Sequence, residues 1–282
     1  LEMDQCENLT DISALSNLKC LNQLIIPGCK KLQDISALAD TPDLFGINMT
    51  EGEEISDLSP LAKRYNIKYL NLSGCKKICD ITPLEKLASL VFLDLSGCNL
   101  ITDLSPLSGL KSLGQLEMMD WEKFPEEPIP ELPALHSLNV SGGKIKNLEM
   151  VVNQWFLQNL NASNCNNLTD LSALEKLTYL NALKLESCEK LANIAPLEKL
   201  EHLSYLDLKD CDNVFYILPL MKIRNLQVVY LSCEKKYHFS DIEKICQSLP
   251  LCKVFVQTQT ASNESRDEDD QEKNRNQANA AT

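Results

Sequence analysis

Histidine is nearly absent from this sequence: three copies stand in 282 residues. Lysine and arginine are also outnumbered by acidic residues, 27 against 40, which leaves a formal net charge of -13. A general nucleic-acid binder needs cations to displace phosphate counterions, so no nucleic-acid partner is expected. His136, His202 and His238 are widely scattered, and no Cys-x-x-Cys pair exists to make a zinc site. No metal and no cofactor are therefore expected. There is no uninterrupted apolar run long enough to span a bilayer. Glycine-rich phosphate loops and histidine-paired nucleophile motifs are missing too, so no catalytic residue is assigned and no enzyme is expected from this region.

Cysteine, by contrast, is plentiful, with 12 copies. Cys6, Cys29, Cys75, Cys98, Cys165, Cys188 and Cys211 each close a Leu-x-Leu-x-x-Cys pattern or a near variant of it. The intervals are multiples of 23 residues except between Cys98 and Cys165, where 67 residues accommodate three repeats if two are 22 long. The equivalent positions without cysteine are Gly52, Trp121, Gly143 and Glu234, each preceded by an apolar pair at the same offset. A fixed period of this length means a solenoid, in which each coil buries its apolar face against its neighbours. Residues 1–257 are read as about 11 or 12 such coils, roughly 50–60 Å along the stack at ~4.8 Å per strand.

Residues 67–90 serve as the model coil. Alternation from Ile67 to Leu72 is the period of a strand with one buried face, so Leu70 and Leu72 point in while Tyr69, Asn71 and Ser73 point out. Gly74 permits a turn. Cys75 enters the interior, where a small thiol can donate to a backbone carbonyl. Asp80 is placed to accept amides of the following turn, Pro83 suits the start of a short helical segment, and Leu84, Leu87 and Leu90 line its inner side.

The Asp-Ile/Leu-Ser/Thr-Pro-Leu phrases at residues 57–61, 80–84 and 103–107 resemble those of the leucine-rich repeat family, in its internalin-like branch. Variants with alanine in place of proline stand at 11–15, 34–38 and 170–174. The resemblance covers residues 1–257. It departs in one respect: a ladder position usually held by asparagine in that branch is mostly cysteine here, as in the cysteine-containing repeat class. The fold it implies is an α/β leucine-rich repeat solenoid, a curved right-handed coil with a parallel sheet on the concave face and short helical or 3₁₀ segments on the convex face. The function it implies is a non-catalytic protein-binding scaffold. An architectural spacer, or the substrate-recognition region of a larger enzyme, is the alternative.

Regularity fails between 120 and 160. Residues 121–133 hold four prolines and lack the aspartate phrase, so an extended convex segment is expected there. Residues 148–160 read as a fuller helix containing Trp155 and Phe156. Trp121, Phe124, Trp155 and Phe156 either fill the space between unlike coils or form a binding edge. Residues 240–249 read as a closing helix, with Ile242, Ile245, Cys246 and Leu249 on one face. Leu1 already stands at a strand core position, so the sequence reads as beginning inside a repeat, with an upstream segment removed. Residues 258–282, acidic, polar and without aromatics, are expected to form a disordered tail.

The register names the residues that face outward on the strands. Two groups stand out as protein-binding candidates. One comprises Tyr69, Asn71, Phe92, Asp94, Glu117 and Met119, an acidic and apolar cluster suited to a basic side chain. The other comprises Lys184, Tyr205, Asp207 and Tyr230, with Glu186 and Lys209 beside them, and Lys184 is expected to pair with Asp207. The partner implied is a protein with a basic or mixed-charge surface, bound by a chain that is a monomer of its own kind. A buried row of free thiols favours a reducing compartment, cytoplasmic or nuclear. A cell-surface or secreted protein is the alternative if a signal peptide has been removed, and Asn-x-Ser/Thr triplets such as those at Asn71 and Asn161 are read as accidents of the repeat.

Overall fold

The computed structural model describes residues 1–232 and 237–257. The expected tail, Cys233 and the ladder position at Glu234 lie outside the described residues. Eleven strands pair in chain order into one parallel sheet. They are β1 (Gln23–Ile25), β2 (Gly46–Asn48), β3 (Tyr69–Asn71), β4 (Phe92–Asp94), β5 (Gln115–Glu117) and β6 (Ser137–Asn139). β7 (Asn159–Asn161), β8 (Ala182–Lys184), β9 (Tyr205–Leu208), β10 (Val228–Leu231) and β11 (Lys253–Val256) complete it. An isolated parallel bridge between Glu2 and Ile25 extends the stack by one partial coil. Opposite the sheet, most coils return through a 3₁₀ turn of three to five residues, such as Ser59–Leu61 and Ala195–Lys199.

Each coil is built from four locally dictated pieces. Alternation puts Leu70, Leu93, Leu116, Leu183 and Leu206 at or near zero exposure, in register across neighbouring strands. Fully burying such a side chain contributes about 1.5–3 kcal/mol. Next comes a left-handed residue just before the ladder position. Gly28, Gly74, Gly97 and Gly142 supply it at φ near 70°, while Gln5, Glu51, Asp120, Asn164, Ser187 and Asp210 adopt it without glycine. A non-glycine residue there costs roughly 1–2 kcal/mol, so the turn is imposed by the stack rather than by local preference. Then an aspartate caps the return arc. Asp11, Asp34, Asp57, Asp80, Asp103 and Asp170 each accept the backbone amide two residues on at 2.7–2.8 Å. Those hydrogen bonds hold the carboxyls of Asp11, Asp34, Asp80 and Asp103 below the ordinary range. Proline at the first or second position of the arc is tolerated because no helical donor is needed there.

The fourth piece is the ladder, and it joins one coil to the next. Cys29, Cys75, Cys98, Cys165, Cys188 and Cys211 are buried. Five of these thiols donate to the carbonyl of the second inward strand residue one coil earlier. Cys75 reaches Met49 at 3.3 Å, Cys98 reaches Leu72 at 3.2 Å, and Cys211 reaches Leu185 at 2.9 Å. Cys165 and Cys188 do the same with Val140 and Ala162. The carbonyl of Leu72 also accepts Cys75 N in its own turn, so both of its lone pairs are used. Burial pushes the Cys165 thiol up to about 11 and that of Cys75 to about 12, and raises Cys98 as well.

Trp121 occupies the same rung. Its indole Nε1 donates to Leu95 O at 2.9 Å, and its side chain is fully buried. Phe124 packs against it with ring centroids 5.3 Å apart. The next rung is Gly143, where a Cβ would come within 2.8 Å of the Phe124 ring. The large residue and the absent side chain are therefore one adaptation. Just after β10, Ser232 Oγ makes a bond of the same kind by donating to Leu208 O at 3.1 Å. Across 125–133 the chain runs without helix or strand, as expected. Buried Gln154 holds it, donating to Ile129 O and Pro130 O and accepting Leu132 N.

Three expectations are corrected. Residues 148–160 hold the short 3₁₀ turn Glu149–Val151 and the start of β7 in place of a helix, because the chain must reach β7 in the space a helix would fill. Leu1 stands opposite Leu24 in the register set by the Glu2–Ile25 bridge, but it is 49% exposed rather than buried. The closing helix α1 (Phe239–Ser248) forms and buries Ile245, but Cys246 faces solvent.

Replacing Trp121 by Phe should remove the rung's donor while keeping an aromatic ring. The expected loss is about 1–3 kcal/mol, from the missing hydrogen bond and the reduced volume. Equilibrium urea unfolding checks this, and an unchanged midpoint would show that the indole hydrogen bond does not hold the coils together.

Candidate protein-binding face

The outward face of the sheet is two columns wide, and the strand register fixes which side chains adjoin. Tyr69 pairs with Phe92, Asn71 with Asp94, and Asp94 with Glu117. Farther along, Lys184 pairs with Asp207, and Asp207 with Tyr230. Both candidate groups are thus brought together. Their members are not equally exposed, however.

The second column has a local task that alternation alone does not reveal. Asn48, Asn71, Asp94, Asn139, Asn161 and Asp207 each accept the backbone amide two residues on, at 2.9–3.0 Å. A short acceptor side chain offers the backbone an alternative to the sheet ladder and ends the strand there. Asp94 is consequently only 7% exposed and Asp207 only 4%. Glu117 is too long for this geometry, and the Met119 amide two residues on instead donates to Ser96 Oγ at 3.1 Å. Glu117 accepts Gln115 Nε2 at 2.8 Å. Tyr69 is half exposed, and Phe92, Glu117 and Met119 are half-buried.

The second group forms a connected polar and aromatic cluster. Lys209, not Lys184, holds the carboxylates: its Nζ lies 3.4 Å from Asp207 and 3.3 Å from Glu186. Its backbone amide already binds Asp207 Oδ1, which brings the residue to the right side. Lys184 stays exposed. The ammonium also sits 5.5 Å from the Tyr230 ring centre. Tyr205 donates to Asp207 Oδ2 at 3.4 Å, and Tyr230 stacks on Phe255 at 4.9 Å. Burial first, and the Asp207 charge second, raise the Tyr205 phenol above its ordinary range. The Lys209–Glu186 pair lies at the surface, and a pair of that kind contributes only some tenths of a kcal/mol.

Two aromatic features extend beyond the two candidate groups. Phe255 completes the stack on β11. Phe156, Tyr179 and His202 form an exposed ridge just ahead of β7, β8 and β9, with centroids 5.9 and 5.7 Å apart. Their spacing of 23 residues was available, but the position lies outside the alternating strand. Trp155 is exposed at 46%, in contrast to Trp121. A cavity of about 590 Å³ lies beside the proline segment and is lined by Asn99, Asp103, Phe124 and Pro125 among others. Among the described residues no histidine or cysteine lines it.

The sequence profile of the family described as leucine rich repeats (two copies) matches residues 65–111. The fold superposes on the crystal structure of an internalin from Listeria monocytogenes with a TM-score of 0.68 and 26% identity, over 88% of this chain and 72% of that one. The chain is a leucine-rich repeat solenoid. The leucine-rich repeat domain of the type III effector XopL shares the fold at a TM-score of 0.55 and 20% identity, covering 70% of both chains. No curated protein matches the chain. Among the described residues, no helix of the solenoid is long and apolar enough to cross a membrane.

Replacing Asn71 by Ala should destabilise the solenoid by about 0.5–1.5 kcal/mol through loss of the turn acceptor, while Asn71→Asp should leave stability close to the parent. Thermal or urea unfolding of the pair decides this. Equal stability of all three proteins would return Asn71 to the surface alone.

Proposed function

We propose that this chain is a non-catalytic scaffold that binds another protein through the outward, concave face of its sheet. The observation that carries the reading is a contrast between the two sides of each strand. The inward columns are apolar in every coil, the first of them mostly leucine, whereas the first outward column runs Gln23, Gly46, Tyr69, Phe92, Gln115, Ser137, Asn159, Ala182, Tyr205 and Val228. Stacking needs uniformity, and it gets it inside. A face that differs from coil to coil on a rigid frame is what recognition requires. Aromatic and charged members at Tyr69, Phe92, Glu117, Tyr205 and Tyr230 provide the anchors that dominate interfaces.

The partner is a protein with a basic or mixed-charge surface, met by a monomeric chain. Nucleic acid does not fit the acidic balance. Residues 1–257 act as the recognition unit and the acidic tail as a solubilising end. A ladder of buried free thiols suits a reducing compartment, so the cytoplasm or nucleus is the proposed location.

The test begins with a partner obtained by affinity capture and verified by stoichiometric rebinding. Amide exchange should then show protection on the strands rather than on the 3₁₀ arcs. Combined Phe92→Ala, Glu117→Ala and Met119→Ala should weaken binding by about tenfold or more without changing the fold, because few interface residues carry most of the energy. Protection confined to the arcs, or unchanged affinity in the variant, would remove this face.

A further inference from the structure

Between Gln23 and Tyr69 the first outward column holds Gly46, and the missing side chain opens a notch in the sheet face. The notch has a volume of about 340 Å³. Its floor is Gly46 with the buried residues Ile47 and Leu70, and its walls include Gln23, Ile25, Tyr69 and Phe92. The backbone does not demand glycine at this position. Its φ is not left-handed, and the nearest atom to an added Cβ would be Gln23 Cγ at 3.3 Å. Glycine inside a strand weakens it and often marks a site where a ligand or another chain comes close.

Charge on the same face is one-sided. No lysine or arginine stands in either outward column of β1–β7, and the charged members there are Asp94 and Glu117, paired across β4 and β5. Lys76 at one margin is bound to Glu53, Lys68 precedes Tyr69 at the opposite edge, and Lys184 of β8 lines a shallow pocket that Glu117 also lines. Gly46 and the two carboxylates are two and three strands apart, and offset by one column. That places them roughly 12–16 Å apart at ~4.8 Å per strand and ~3.3 Å per residue. An extended chain covers that distance in about four residues, an even spacing that turns both side chains to one side.

We infer that the first half of the sheet binds an extended peptide segment of the partner, seating an aliphatic side chain in the Gly46 notch and a lysine or arginine, four residues away, over Asp94 and Glu117. The inference rests on the protein-binding reading above and narrows it to one class of ligand, recognised by an apolar hole and the adjoining carboxylates of Asp94 and Glu117.

Short fluorescein-labelled peptides with a leucine and an arginine four residues apart, in a serine and threonine background, provide the probe. They are titrated against the full chain by anisotropy at low and high salt. Replacing the leucine by aspartate, or the arginine by glutamate, should weaken binding about tenfold. Gly46→Leu, which fills the notch, should cost about tenfold as well. Asp94→Asn combined with Glu117→Gln keeps both hydrogen-bond acceptors and should cost about fivefold at low salt, a difference that closes at high salt. Melting curves check each variant, and if Gly46→Leu unfolds early the charge-neutral variant decides. No binding of the parent peptide, no preference over its controls, or parent-like affinity in the decisive variant overturns the inference. A verified partner that protects the strands yet binds both variants normally removes the notch alone. One that protects only the arcs removes the whole face.

Discussion

The structure depends on one recurring contact between coils: a buried side-chain donor reaching back to a backbone carbonyl of the coil before. Strands of three or four residues give each coil only a narrow seam of sheet hydrogen bonds. The carbonyl at the end of that seam points along the stack while its own chain turns away, and its second lone pair needs a partner. A thiol is small enough to stand in a dry interior and still donate weakly. The rung at residue 121 shows that the donor matters as well as the residue type, since an indole N–H makes the same bond as its cysteine neighbours. Ser232 repeats the solution with a hydroxyl just after β10. Around this contact the leucines of adjacent coils share one continuous core, and no coil could bury its own leucines alone.

Much of this was legible because a solenoid writes its geometry into period and alternation. The cysteine spacing placed Cys75, Cys98, Cys188 and Cys211 in the interior, and all four are fully buried. Alternation also identified the outward columns, and the register brought Asp94 beside Glu117 as the pattern implied. What escaped the pattern was side-chain chemistry within a column. Asn71, Asp94 and Asp207 look like surface residues by alternation, yet each bends back to its own backbone, which explains the recurrent asparagine and serine without any partner. The Lys184 and Asp207 pairing failed for a related reason: the turn that Asp207 caps carries Lys209 to its carboxylate. Residues 148–160 misled because a helical pattern of apolar residues in a solenoid need only satisfy the arc, and Gln154 within it serves the backbone of the preceding coil.

Separation of tasks follows from this architecture. Inward residues, caps and rungs hold the frame, and substitutions among them alter stability. Of the outward positions, the first column is free of such duties and therefore free to vary. The character of the face as a whole changes along the stack, from an acidic and apolar first half around Tyr69, Phe92 and Glu117 to a mixed-charge aromatic second half around Lys209, Tyr230 and Phe255. Two unlike surfaces on one rigid sheet would let a single partner be held at two places, or allow two short segments to bind side by side.

Thiol accessibility in the native protein tests the ladder most directly. With a small maleimide and peptide mapping, Cys20, Cys79 and Cys246, which are exposed, should react quickly in buffer. The six buried cysteines should stay unmodified until urea unfolds the chain and then become reactive together. Ladder thiols that label in native buffer as fast as Cys20 would contradict the shared dry interior, and with it the face assigned to the opposite side of every strand.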